Sequence, residues 1–172
     1  GVRASGGNDT VSVAQGAEIR IEASGPGPEA VAVDAGAGND TVSNAGSITV
    51  DAQAVVQPVI VFPSVPASTW DIASTADAVA LGVWGGTERD SFLNFATLGV
   101  SSRAQVGSVA VMGTLDNVGT VLAPSTALAQ STGAGGAGAI NIVNGDLVSA
   151  SANAVAEALR VSVSVLGGIN PV

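Results

Sequence analysis

The feature of this sequence that most constrains its fold is a short word that occurs twice, 31 residues apart. Residues 6–12 (GGNDTVS) and 37–43 (AGNDTVS) match at almost every position, and a degenerate third copy covers residues 84–92. A strand-like apolar segment follows each copy. A repeat of this length is typical of solenoids, in which each repeat forms one coil and stacks on its neighbours. The sequence therefore predicts a chain that folds by stacking repeats.

Two further words indicate what lies between the glycine turns. Words in which larger and smaller residues alternate occur at residues 29–33, 77–81, 107–111 and 153–156, and a word that follows the turn, 44–50, recurs at 117–122. Alternation with a period of two suits a strand with one face inward. Three strands and three corners per repeat predict an all-β fold, a parallel β-helix (β-solenoid) of about six triangular turns.

Two stretches interrupt the period, at residues 53–74 and 123–138. The first carries three prolines around an apolar run, and the second is rich in Gly, Ser and Thr. Extra residues in a solenoid emerge at a corner as loops, so we expect two inserted loops within a single β-solenoid domain, 1–172. The glycines at 133–138 predict that the second loop is flexible.

The composition fits this fold and disfavours several function classes. The chain is 47% hydrophobic but only 3% aromatic, so its core must consist of many small side chains in regular layers. It has no Cys and no His, which removes disulfides, thiolate metal sites and the usual general base. A net charge of −9, with five Arg and no Lys, disfavours nucleic acid as a partner. No apolar run is long enough to predict a membrane span.

Polar residues at repeated positions give two candidate columns. Asp9, Asp40 and Asp90 are expected to stack, either as carboxylates of an enzyme or, as we favour, by accepting backbone N–H groups at their corners. A second set, Asn44, Asn94 and Asn117, is expected to form a ladder of side-chain amides, which is a structural device.

Aromatic residues concentrate in the middle third of the chain, as Phe62, Trp70, Trp84, Phe92 and Phe95. Exposed aromatic rings can stack on sugars, and Trp70 is the candidate for such a glycan contact. The alternative, which we favour, is that Phe62 and Trp70 pack onto a solenoid face.

Residues 36–48 (GAGNDTVSNAGSI) resemble the repeats in passenger domains of autotransporter adhesins and related filamentous surface proteins. The resemblance is sharpest over residues 5–48 and implies a right-handed β-helix, displayed outside a bacterium as a stalk, spacer or adhesin. The same word has a partial likeness to Gly-rich calcium-roll repeats. Those repeats need tandem nonapeptides, whereas this word occurs once per turn, so we predict no calcium site at Asp9 and Asp40.

We therefore predict a structural or adhesive β-solenoid module of a bacterial surface protein, located extracellularly or at the cell surface, and not an enzyme. No catalytic, cofactor-binding or metal-binding residue is predicted. The alternative is a polysaccharide-cleaving lyase or hydrolase of β-helix fold, for which only Glu88, Arg89 and Asp90 come close to a usable cluster.

The expected partners are a glycan or a host-surface receptor and further copies of the same chain. The sequence lacks an initiator Met, and the two end repeats lack evident caps. These features predict either a piece of a longer solenoid or a homo-oligomer in which copies add strands end to end into a filament.

Overall fold

The chain folds as parallel β-sheets. The computed structural model describes residues 1–62, 69–71, 73–115 and 120–165, and this part of the chain contains fifteen strands and no helix. The strands are β1 Val2–Arg3, β2 Thr10–Val13, β3 Glu18–Gly25, β4 Glu29–Asp34, β5 Thr41–Asn44, β6 Ser47–Val56, β7 Val59–Phe62, β8 Thr69–Asp71, β9 Ser74–Trp84, β10 Arg89–Asn94, β11 Leu98–Leu115, β12 Thr120–Leu122, β13 Ser125–Gly135, β14 Ala139–Asn144 and β15 Val148–Val165. Accordingly, no helix in the described residues could serve as a membrane span.

Three sheets take their strands from the chain in rotation. Their orders are β1-β4-β9-β13, β2-β5-β10-β14 and β3-β6-β11-β15. Strand β7 pairs with β11, and β8 and β12 form a separate pair. The strand pairs of known register are parallel. This all-β parallel architecture is compatible with the predicted β-helix, whereas the number of turns stays a prediction.

The chain divides into two compact units. The first unit comprises Gly1–Ala54, Asp77–Arg103 and Ala129–Asn153. The second comprises Val55–Ala76, Ala104–Leu128 and Ala154–Val172.

The core of the first unit consists mainly of small side chains in layers, in agreement with the composition. Ala30 pairs with Ala80 across β4 and β9, and both are buried. Likewise Val42 pairs with Phe92, which is the largest fully buried side chain. Because each layer repeats the layer beneath it, inward positions remain apolar from strand to strand.

Glycines form the corners before β5 and β10, as the repeated word predicts. Gly38 has a φ of 130° and Gly86 a φ of 80°, a region that L side chains rarely adopt. Both also lie close to neighbouring backbone, since a Cβ on Gly38 would stand 1.9 Å from the Gly7 carbonyl oxygen and one on Gly86 1.7 Å from that of Gly36. Stacked corners therefore require glycine for two independent reasons.

The second unit contains the pairing of β7 with β11. Val59 pairs with Val109 and Val61 with Val111, while Ala110 between them is buried. The hydroxyls of Ser108 and Ser125 lie 2.6 Å apart and share a hydrogen bond.

The register of one pair of repeated motifs does not match their alignment in sequence. Residues 29–33 and 77–81 do pair in one sheet, but Glu29 lies opposite Val79 and Val31 opposite Leu81. The words are thus displaced by two residues. A displacement of two residues keeps the same set of side chains inward, so the alternation predicted from the sequence is compatible with this register.

Other words fall in different places from those predicted. Residues 107–111 and 153–156 lie in β11 and β15, which belong to a different sheet from β4 and β9. Residues 120–122 form β12, which pairs with β8. Short Val-Ala words fit any inward layer, so their likeness did not specify a sheet.

The two stretches predicted as inserted loops contain strands. Residues 53–74 include the end of β6, all of β7 and β8 and the start of β9, while 63–68 and 72 lie outside the described residues. Residues 123–138 include β13, so most of the predicted flexible loop is a strand. Its glycines make room for neighbours, because a Cβ on Gly133 would lie 2.6 Å from Cγ1 of Val148.

Candidate functional site

The predicted aspartate column is present at the glycine corner. The backbone N–H of Asp9 donates to Oδ1 of Asp40 at 2.7 Å, and the N–H of Asp40 donates to Oδ1 of Asp90 at 3.0 Å. Asp40 is 2% exposed and Asp90 6% exposed. Stacking buries Asp40 and Asp90, and each accepts a backbone N–H from the preceding corner, as the favoured interpretation predicts.

Neighbouring asparagines connect the same corners in the opposite direction. The N–H of Asn39 donates to Oδ1 of Asn8 at 2.9 Å, and the N–H of Arg89 donates to Oδ1 of Asn39 at 3.2 Å. In the copy of the motif at residues 37–43, Asn thus accepts a hydrogen bond from the following corner and Asp accepts one from the preceding corner. This accounts for the repetition of both residues.

The three residues that suggested an enzyme do not share a surface. Asp90 is buried in the aspartate column, whereas Glu88 and Arg89 are exposed. Hydrogen bonds from the Thr87 hydroxyl and the Gly38 N–H hold the pKa of Glu88 below its ordinary value, which favours its carboxylate form. A carboxylate stabilised in this way is a weak general base.

The described residues contain no group of three or more His, Cys, Asp or Glu side chains that could hold a metal ion. The buried Oδ2 atoms of Asp9 and Asp40 nevertheless have no partner among these residues. A calcium ion at the corner would have to use those two oxygens.

We expect chelation of calcium with EDTA to leave the melting temperature of the protein unchanged within about 1 °C. The reason is that one oxygen of Asp40 already accepts a backbone N–H, and within the described part of the chain no third carboxylate completes a cage. Thermal melting followed by circular dichroism, with and without EDTA, measures this. A large fall in melting temperature, reversed by added Ca²⁺ and absent from an Asp40→Asn variant, would contradict the prediction.

A ladder of asparagine amides runs beside the aspartate column. The Nδ2 of Asn44 donates to Oδ1 of Asn94 at 2.8 Å, and the Nδ2 of Asn94 donates to Oδ1 of Asn144 at 2.8 Å. Asn44 and Asn94 are fully buried. The predicted third member, Asn117, lies outside the described residues, and the third position of the ladder is held by Asn144 instead.

A shallow groove on the outer face of the first sheet combines charged, apolar and aromatic side chains. Its volume is about 350 Å³, and it is lined by Arg3, Glu29, Val31, Asp34, Leu81 and Trp84. In register, Arg3 lies opposite Asp34 and Asp34 opposite Trp84, so these three form a column across β1, β4 and β9.

Two irregularities in the strands create the groove. Ala32 and Val33 in β4 are both buried, and so are Gly82 and Val83 in β9, where strict alternation would place one of each pair outside. The outer face is therefore vacant between Val31 and Asp34 and between Leu81 and Trp84. Gly82 adds no side chain to the floor.

The polar groups of the groove are held in defined positions. The Nε of Arg3 donates to Oδ2 of Asp34 at 2.7 Å, with side chains that are 83% and 23% exposed. The six-membered ring of Trp84 extends over β13, where atoms Cζ3 and Cε3 lie 3.6 and 3.8 Å from the place a Cβ would take on Gly135. The indole thus lies within van der Waals distance of the Gly135 position on the neighbouring strand.

The three aromatic residues whose side chains the structure describes lie in different surroundings. Phe92 lies in the core, Phe95 is 58% exposed, and Trp84 borders the groove. The side chains of Phe62 and Trp70 lie outside the described residues, so the predicted packing of these two stays a prediction. Arg3 and Asp34 were not predicted from the sequence, although their spacing of 31 residues is that of the repeated motif.

No family model, curated protein or solved structure matches this chain.

Proposed function

We propose that this chain is a structural or adhesive module of a bacterial surface protein, a right-handed parallel β-helix that lies outside the cell. The observation that carries the proposal is the use of repeated polar residues. Four of these residues are buried and form hydrogen bonds to adjacent repeats, namely Asp40, Asp90, Asn44 and Asn94. Residues that recur to join repeats serve the construction of an extended scaffold.

Two further observations support the coil. The three larger sheets receive one strand each in rotation, which is the order that successive three-strand turns would produce. The strand pairs of known register are parallel, and parallel strands of one sheet are joined by right-handed crossovers in nearly all proteins. Right-handed coiling is the handedness that the resemblance to autotransporter passenger repeats implies.

We further propose that copies add to one another end to end. Strand β14 is an edge of its sheet within the described chain, and Ile142 on it is 45% exposed although its register partner Phe92 is fully buried. An apolar core column thus reaches an uncovered end. Backbone N–H and C=O groups on such an edge favour addition of another strand.

Replacing Ile142 with Lys tests this assembly. In an end-to-end contact this position would be covered by the next copy, and an unpaired charge buried there would cost about 3 kcal/mol or more, which weakens association at least a hundredfold. In the single chain the lysine stem can extend to water. Light scattering over a wide concentration range should show growing mass for the unmodified protein and a constant mass for Ile142→Lys.

The matched control is Val143→Lys on the same strand. Val143 is 47% exposed, but it follows Ile142 and therefore faces the opposite side of the sheet. This variant should assemble as the unmodified protein does. A constant monomeric mass for the unmodified protein at all concentrations would rule out the end-to-end assembly, and equal loss of assembly in both variants would show that charge alone, rather than the core column, is responsible.

A further inference from the structure

The groove lined by Trp84, Asp34 and Arg3 has a composition that restricts its ligand. Trp84 supplies a broad apolar ring with a polar edge, next to the aliphatic side chains of Val31 and Leu81. Asp34 has one oxygen engaged by Arg3, which leaves Oδ1 without a partner among the described residues. A ligand therefore meets an apolar surface, a free acceptor and a free donor side by side.

The charges of the groove exclude the simplest ionic ligands. The carboxylates of Asp34 and Glu29 repel an anion, and the guanidinium of Arg3 repels a cation. A single aromatic ring is also too little to enclose a quaternary ammonium group. A neutral molecule that carries both an apolar face and several hydroxyls meets all of these conditions.

We propose that this groove binds a neutral pyranose whose hydroxyls are equatorial, such as a glucose or N-acetylglucosamine unit of a glycan. The C–H face of such a ring is flat and apolar, so it can lie on Trp84. Its vicinal hydroxyls can donate to Oδ1 of Asp34 and accept from the remaining N–H groups of Arg3.

The size and rigidity of the groove suit one or two sugar units. Its volume of about 350 Å³ lies near the lower end of the range of roughly 300–1,000 Å³ for small-molecule sites. The three key residues stand on adjacent parallel strands in register, so the backbone that carries them is already ordered before binding. Such an open groove should bind weakly, with a Kd on the order of 1 mM for a single unit.

The inference specifies the partner of the proposed adhesive scaffold, and for its biological setting it rests on that proposed function. Multiple copies in one assembly would raise a weak affinity to a useful avidity. The binding itself requires only the first unit of one chain, so it can be tested without assembly.

The experiment titrates the protein with cellotetraose and with chitotetraose and follows indole fluorescence in a Trp70→Phe background, so that Trp84 is the reporter. We expect saturable binding of at least one of the two. Trp84→Ala should weaken binding at least tenfold, Trp84→Phe by a smaller factor, and Asp34→Asn by about fivefold. Because Trp84→Ala and Trp84→Phe lack the fluorescent indole and Asp34→Asn alters its surroundings, the affinities of all three variants are measured by calorimetry.

The matched control is Phe95→Ala, which removes an exposed aromatic ring at a different position and should leave affinity unchanged. Circular dichroism of each variant confirms that the fold is retained. Absence of saturable binding by the unmodified protein, equal weakening by Phe95→Ala, or stronger binding of glucuronate or choline would overturn the inference. Loss of assembly in Ile142→Lys with sugar binding intact would leave the groove in place and concern the end-to-end assembly alone.

Discussion

Replacement of Gly38 by Ala is expected to lower the free energy of unfolding by at least about 3 kcal/mol. Gly38 combines a φ of 130° with a corner at which an added Cβ would stand 1.9 Å from the carbonyl oxygen of Gly7. The atom in the way is backbone, so it cannot rotate aside as a side chain could. Total stabilities of about 5–15 kcal/mol make this a large fraction of what the fold has. Urea unfolding followed by circular dichroism measures the change.

Two other glycines separate the causes of this effect. Gly7 holds the equivalent corner position with a φ of 118°, but nothing lies within 4 Å of its Cβ position. Gly7→Ala should therefore cost only the backbone strain, about 1–2 kcal/mol. Gly99 has open space and no positive φ, so Gly99→Ala should be within about 0.5 kcal/mol of the unmodified protein. Equal costs at Gly38 and Gly7 would show that the close approach of stacked corners adds nothing.

The corner was predictable from sequence because the same glycine and Asp residues recur at the same positions of the repeat. The spacing of 31 residues gave the register in which Thr10 lies opposite Thr41, and the third copy correctly placed Asp90 next to Asp40. Glycine with a positive φ and Asp that accepts an N–H are local requirements. Requirements of this kind are met by particular residues at fixed positions, so they produce a recognisable sequence motif.

A second spacing, of 50 residues, was not recognised. It relates Asn44 to Asn94 and Asn94 to Asn144, and it also relates Asp40 to Asp90. The interval of 50 residues between β5 and β10 includes extra strands such as β7, which the interval of 31 residues lacks. Only scattered residues are identical at this distance. Because an inward position asks only for a small apolar side chain, the residues between these markers diverge freely.

The glycine-rich stretch that was predicted as a loop shows why composition misleads here. Gly133 lies in β13, where Cγ1 of Val148 occupies the space that a side chain would need. Glycine in a strand can mark close packing as well as flexibility, and the sequence alone does not distinguish the two. The groove at Trp84 was missed for a related reason, since it depends on pairs of consecutive buried residues that break the alternation.

Replacement of Asn94 by Leu is expected to cost about 2–4 kcal/mol although the two side chains are similar in size. Asn94 is fully buried and lies between Asn44, which donates to it, and Asn144, which accepts from it. Leucine can do neither, so the buried Nδ2 of Asn44 loses its acceptor. A buried donor left without a partner costs about 1–3 kcal/mol, and the lost bond to Asn144 adds to this.

The position along the ladder sets the size of the effect. Asn144 is exposed, so in Asn144→Leu water can replace part of the lost partner of Asn94, and we expect a cost of about 1 kcal/mol. Asn141 lies on the same strand, is exposed and takes no part in the ladder, so Asn141→Ala should be within about 0.5 kcal/mol of the unmodified protein. Urea unfolding of the three variants ranks their free energies of unfolding.

If Asn94→Leu were as mild as Asn141→Ala, the amide ladder would contribute nothing net to stability, and the burial of Asn44 and Asn94 would need another explanation. A gradient from Asn94 through Asn144 to Asn141 would instead show that amide hydrogen bonds between repeats stabilise this fold most where water cannot reach them.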